Sequence, residues 1–259
     1  MVENSTQSKK LVIGIDASNL RQGGGITHLI EMLSAADPES CGIMKVVVWS
    51  GSETLAQIED QPWLIKTEPS ELNLGLIKRL YWQRFKLAHC GRMEGCDLIF
   101  VPGGSISCSF NPIVTMSRNM LPFEWNELRR YGLSWTSTRL LLLRLTQSKS
   151  FRQANGVIFL TRFAKEHVQK VTGELPGLTT VIPHGLNLRF HMRPKKQHDI
   201  SKYSSENPYR LLYVSIVDQY KHQWHVVNAV AELRNKGYPL FLDLVGPSYP
   251  PALHRSEER

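Results

Sequence analysis

Absences narrow this chain first. Its four cysteines, Cys41, Cys90, Cys96 and Cys108, form no CxxC pair, which argues against a zinc ribbon or a redox dithiol and makes reduced thiols the simplest reading. No apolar run approaches the ~20 residues that a membrane-spanning helix needs. The longest leucine cluster, Leu140–Leu145, contains Arg144 and follows Arg139. The opening MVENSTQSKK is polar and gives no secretory signal. There is no G-x-x-x-x-G-K-[ST] and no G-x-G-x-x-G, so neither a P-loop nor a nicotinamide-cofactor site is supported. No Asp-x-Asp appears, so no metal is expected.

Acidic residues are also in deficit. Against 31 Lys and Arg stand 23 Asp and Glu, a net charge of +8, which suits a partner carrying negative charge: nucleic acid, an anionic membrane or a phosphorylated small molecule. No RRM, KH or helix-turn-helix signature accompanies the charge, so nucleic acid is not expected. With 42% apolar residues over 259 positions, the chain reads as an ordinary globular protein with room for two domains.

What is present is an alternation of short apolar runs and helical patterns. Leu11–Ile15 forms a first strand, and Gly23, Gly24 and Gly25 lead from its polar exit into a helical pattern carried by Ile26, Leu29, Ile30 and Leu33. Further strands are expected at Lys45–Trp49, Asp97–Val101, Ile113–Ser117, Gly156–Leu160 and Thr179–Ile182. The stretch from Gln61 to Asn73 has turn residues and little periodicity. One helix is expected over Leu76–Cys90, with Ile77, Leu80, Tyr81, Phe85 and Ala88 on an apolar side and Lys78, Arg79, Gln83 and Lys86 largely opposite. It fits either a core-packed helix with a solvated charged face or an element resting on an anionic membrane surface. Another helix is expected from Thr136 to Ala154. Thr161 stands where a helix N-cap belongs, and Gly173 suits that helix's end. The region from Arg189 to Asn207 loses periodicity and reads as a linker. Beyond it, Leu211–Val217, a helix with Val226, Val227, Val230 and Leu233, and Leu240–Val245 form one βαβ unit. The pattern predicts an α/β protein: a Rossmann-like doubly wound parallel sheet over 1–190, a linker over 191–207, and the first βαβ unit of a second Rossmann-like domain over 208–259.

Several segments suit chemistry. A glycine triplet after a first strand, at a helix start, lets backbone N–H groups approach an anion, although a glycine triplet alone is more often a flexible turn. Lys221 lies in the loop after Leu211–Val217, where open α/β sheets bind ligands; a solvated loop lysine is the plainer alternative. His222 and His225 lack a third ligand placed by sequence, so packing or loop histidines are the better reading. Gly103-Gly104-Ser105-Ile106-Ser107 imitates a hydrolase elbow but lacks its last glycine.

In order, IGIDASNLRQGGGITHL, VIFLTRFAKEHV, VIPHGLN and LLYVSIVDQYKHQWHVVNAVAEL resemble the retaining, nucleotide-sugar-dependent glycosyltransferases of family 4 and their GT-B fold of two Rossmann-like domains. The resemblance implies transfer of a sugar from a nucleotide diphosphate sugar to a glycan or lipid-linked acceptor, with retention, in envelope or surface polysaccharide biosynthesis. It implies a cytoplasmic enzyme with no separate cofactor, at work near the inner face of the membrane. Gly24 and Gly25 would approach the donor diphosphate, and Lys221 would bind it from the second domain. Asn119 lies where the family often has a His or Asp facing the reacting sugar. His184 replaces the usual Asn before Gly185, and both would line the site.

Two departures set limits. Ile216 stands where the family has an arginine, so one diphosphate cation is missing, a loss of about 1.5–3 kcal/mol for a charge-assisted bond. The family's E-x7-E is not reached, because Glu257 and Glu258 do not fit its spacing. The chain therefore reads as truncated within its second domain, and a noncatalytic remnant or binding module of the family is the alternative.

Overall fold

The computed structural model describes residues 9–247. Residues 1–8 of the opening polar segment and the Glu257 and Glu258 positions lie outside the described residues. These residues group into two units: one runs up to Trp125 and continues over Thr138–Leu188, the other joins Asn126–Ser137 to the chain from Arg189 onward.

The first unit is built on seven strands: β1 (Leu11–Asp16), β2 (Ile43–Trp49), β3 (Leu64–Thr67), β4 (Leu98–Val101), β5 (Ile113–Ser117), β6 (Gly156–Phe159) and β7 (Leu178–Val181). They pair in the order β3-β2-β1-β4-β5-β6-β7, all parallel. That is the α/β, Rossmann-like doubly wound fold expected from the alternation. Its helices are α1 (Gly24–Ser34), α2 (Ser52–Leu55), α3 (Leu76–Phe85), α4 (Leu87–Met93), α5 (Trp125–Arg130), α6 (Trp135–Gln153) and α7 (Arg162–Thr172), with α5 and α6 spanning the boundaries between the two groups.

Strand alternation divides the core. Val47, Trp49, Ile99, Val101, Val157 and Phe159 point to one layer with Trp82, Leu87, Phe151 and Val168. Val46, Val48, Ile15 and Phe100 point to the other with Ile26, Leu29, Leu33 and Leu55. Burial on both faces is why these runs are nearly continuous in apolar residues. Thr161 caps α7 as its position predicts, accepting from the Ala164 N–H at 3.0 Å, and α7 ends at Gly173.

Three local expectations are corrected. The segment taken as irregular contains β3, a four-residue edge strand whose LIKT is half exposed and so has no buried periodicity to betray it. The single helix expected over Leu76–Cys90 is two, α3 and α4, parted at Lys86. Its expected apolar side also faces the wrong way: Ile77, Leu80, Tyr81 and Phe85 are exposed, while Trp82 and Gln83 are buried. The inward face is chosen by Trp82, which packs 6.3 Å from Trp49 between ring centroids, and by Gln83, which donates to buried Asp16.

The second unit holds β8 (Tyr209–Val214), α8 (Gln223–Asn235) and β9 (Leu240–Val245), with β8 and β9 parallel. The segment Asn126–Ser137 belongs with it through Tyr131, whose hydroxyl donates to Asp218 Oδ1 at 2.8 Å, and Glu127, whose Oε2 lies 3.3 Å from His222 Nε2. β8 ends at Val214, three residues before the end of the expected run, and alternates half-buried with exposed positions. The stretch from 191 to 207 holds only a short turn of helix at Ile200–Lys202.

Candidate functional site

The carboxyl ends of parallel strands are where open α/β sheets bind ligands. At the end of β1, Asp16 is buried; its Oδ1 accepts the Ser18 N–H at 3.1 Å and its Oδ2 accepts from Gln83 Nε2. The chain of bonds continues outward: Asn19 Nδ2 donates to Gln83 Oε1 at 3.2 Å, and Arg79 donates to Asn19 Oδ1 at 3.1 Å and to the Ser18 carbonyl at 3.2 Å. Burial pushes the Asp16 carboxyl above its ordinary pKa, against the opposing pull of the Ser18 and Gln83 donors.

The glycine loop follows, and its glycines differ in role. Gly23 is the N-cap of α1 with φ 70°, a conformation glycine adopts without strain. Gly24 and Gly25 belong to the first turn of α1, not to the loop before it. A Cβ on Gly25 would lie 2.8 Å from an Arg118 guanidinium nitrogen, whereas one on Gly24 would meet nothing within 4 Å. Helix α1 has no side-chain cap and no acid in its first turn, so its leading N–H groups present a partial positive charge.

Arg118 follows the last residue of β5 and is the residue that sequence reasoning passed over. Its side chain is half buried, its Nε has no hydrogen-bond partner, and no carboxylate lies within ion-pair reach of it among the described residues. Burial alone drives its pKa down from the usual arginine value. A guanidinium taken partly out of water without a counter-charge is costly unless something negative completes it. Beside it, His28 of α1 stacks on His184 with ring centroids 4.6 Å apart. Burial, then His184, then Arg118 hold His28 below its ordinary pKa, so three cationic or proton-accepting groups gather around the start of α1. The signal was present in the sequence: Arg118 shares the strand face of Val114 and Met116, which pack on the α1 layer.

The other expected positions are placed less tightly. Asn119 is exposed and its Oδ1 accepts the Leu121 N–H at 3.1 Å, a turn-forming bond. His184 is exposed on its stack, and Gly185 has open space around it. After Gly104 the chain runs to β5 without a helix, so the serine segment makes no nucleophile elbow. A separate concavity beside the second half of α1 is lined by Ile30, Ser34, Ile58 and Asn187, but Glu31 and Glu59 on its rim make it a poor place for a phosphate.

In the second unit, Lys221 closes a short turn between β8 and α8, as expected. Its carbonyl accepts from the Tyr213 hydroxyl at 2.7 Å, and its Nζ lies 4.9 Å from the Tyr220 ring centroid with no carboxylate partner among the described residues. His222, with φ 57°, is tied to Glu127. Among the described residues no three His, Cys, Asp or Glu side chains group to hold a metal ion, and no helix is long and apolar enough to cross a membrane. No protein-family model matches this chain, and no curated protein matches it significantly.

Proposed function

We propose that this protein is a retaining glycosyltransferase that moves a sugar from a nucleotide diphosphate sugar to a glycan or lipid-linked acceptor, in the cytoplasm. One observation supports the reading above others: a half-buried Arg118 with no carboxylate partner, seated on Gly25 at the uncapped start of α1, at the carboxyl edge of a parallel sheet. These are the groups that stabilise phosphoryl oxygens. Sugar transfer breaks the bond between the anomeric carbon and the donor phosphate oxygen, the electron pair leaving on the diphosphate, while the acceptor hydroxyl oxygen bonds to that carbon and its proton passes to the departing diphosphate. Fixed donors aimed at that developing charge lower the barrier without reorganising during the step. Lys221 is the candidate cation for a phosphate in the second unit. The carboxyl chain of Asp16, Gln83, Asn19 and Arg79 suits hydroxyl groups of an acceptor, since Asn19 and Arg79 carry it to the surface.

Thermal unfolding of the purified chain with nucleoside diphosphates, nucleotide sugars and pyrophosphate tests this directly. The expected result is a rise in Tm with at least one nucleoside diphosphate, lost in Arg118→Leu, together with diphosphate release from one donor of a panel. No shift with any of these ligands would sink the proposal; a shift without release from any donor would favour the binding module.

A further inference from the structure

Helix α3 turns half of its circumference outward, and that half is apolar apart from Arg84. Leu76, Ile77, Leu80, Tyr81 and Phe85 fall within an arc of about 180° at about 100° per residue. Ile77 is 82% and Phe85 65% exposed, and Met93 at the end of α4 is 75% exposed. The opposite face is occupied, because Trp82 and Gln83 bury against Trp49 and Asp16 and Arg79 is bonded to Ser18 and Asn19. The outward residues are thus free side chains on a helix anchored from behind.

Charge says what fits this face. From Leu76 to Met93 the sequence carries Lys78, Arg79, Arg84, Lys86 and Arg92 and no Asp or Glu. The nearest acids are already matched: Glu71 to Lys86, and Glu94 to Lys45 at 3.0 Å. Lys78 and Arg84 therefore flank or interrupt the apolar arc without carboxylate partners among the described residues, Arg84 lying 5.8 Å from the Phe85 ring centroid. An apolar arc ringed by cations with long apolar stems matches the headgroup region of an anionic bilayer, where stems and rings enter the acyl boundary and charges meet lipid phosphates. A nucleic acid would use the cations but gain little from Ile77, Leu80 and Phe85.

We infer that α3, with the end of α4, is a docking face by which the first unit rests on an anionic lipid bilayer. Because Gln83 on its inner face reaches Asp16, docking here brings the carboxyl edge of the sheet close to a lipid-borne acceptor.

Co-sedimentation of the full chain with phosphatidylglycerol/phosphatidylcholine vesicles tests this, and it needs no nucleotide sugar, so its outcome is independent of the transfer reading. Partitioning to mixed vesicles and not to pure phosphatidylcholine is expected. Ile77→Ser with Phe85→Ser should weaken it at least about tenfold, since two exposed side chains lose their apolar burial. Lys78→Gln with Arg84→Gln should weaken it about tenfold and flatten its salt dependence. All four positions are solvent-facing, so circular dichroism and Tm should stay as in the parent. A parent chain that stays in the supernatant, equal binding to both vesicle types, or variants that bind like the parent would overturn the inference. So would binding of single-stranded nucleic acid that needs Lys78 and Arg84 but ignores Ile77 and Phe85.

Discussion

Two parallel sheets in this chain are made of similar residues and end up in different surroundings. KVVVW in β2 and RLLYV in β8 both read as strands buried on two faces, yet Val46–Trp49 are all buried, while Leu212 and Val214 are each 66% exposed. The difference lies in the number of layers. In the first unit, α1 and α2 cover one face while α3, α4, α6 and α7 cover the other. In the second unit, among the described residues, α8 packs on β9, and β8 keeps alternate side chains facing out. An apolar run specifies a strand; burial is decided by what packs on it.

Core truncation sharpens that contrast most. Phe151, fully buried between Phe123 and Phe159, should cost about 3–5 kcal/mol when replaced by alanine, whereas Leu212→Ala should cost under about 1 kcal/mol. Denaturant unfolding would read both, and equal losses would break the comparison.

The cations of the two units should also behave differently. Arg118→Leu removes a half-buried charge without a partner and should raise Tm by about 2–4 °C while abolishing stabilisation by pyrophosphate. Lys221→Gln, in an open turn over Tyr220, should leave Tm within about 1 °C. A fall in Tm for Arg118→Leu would show that the guanidinium is a structural member of the core and not a waiting ligand.

The smallest effect is a slope with pH. Asp16 is held above its ordinary pKa by burial, so the folded protein binds this proton more tightly than the unfolded one. Wild-type stability should then fall as pH rises from about 4, the ordinary aspartate range, and level off above the folded-state value. Asp16→Asn lacks the titration, so the two stability curves should run parallel below about pH 4 and separate above it in favour of the variant. Curves that stay parallel throughout would mean that Asp16 is ionised in the fold.

Much of the first unit was legible along the chain. Six of its seven strands, the capped start of α7 and the glycines at α1 follow from local pattern and turn chemistry. The edge strand β3 was not, because LIKT has too few buried positions to show a period. The orientation of α3 was misread because its two candidate faces, Ile77-Leu80-Tyr81 and Arg79-Trp82-Gln83, look respectively apolar and mixed. A tryptophan and a buried hydrogen bond outweighed the greener-looking stripe of aliphatics once a partner, Trp49 and Asp16, existed to receive them. Among the candidate residues, Gly25 and Lys221 are legible by position, and the alternation of β5 puts Arg118 on the face of Val114 and Met116; that Arg118 meets Gly25 and His28 there is not legible, because the three lie on elements far apart in the chain.

The sequence alone determined the alternation of strand and helix, because period and capping are read within a few residues of one another. Tertiary structure alone decided which face of α3 is covered, which sheet is buried and where Arg118 meets Gly25. Each of those is a choice between competing partners far apart in sequence, settled by which burial and which hydrogen bonds can be satisfied together.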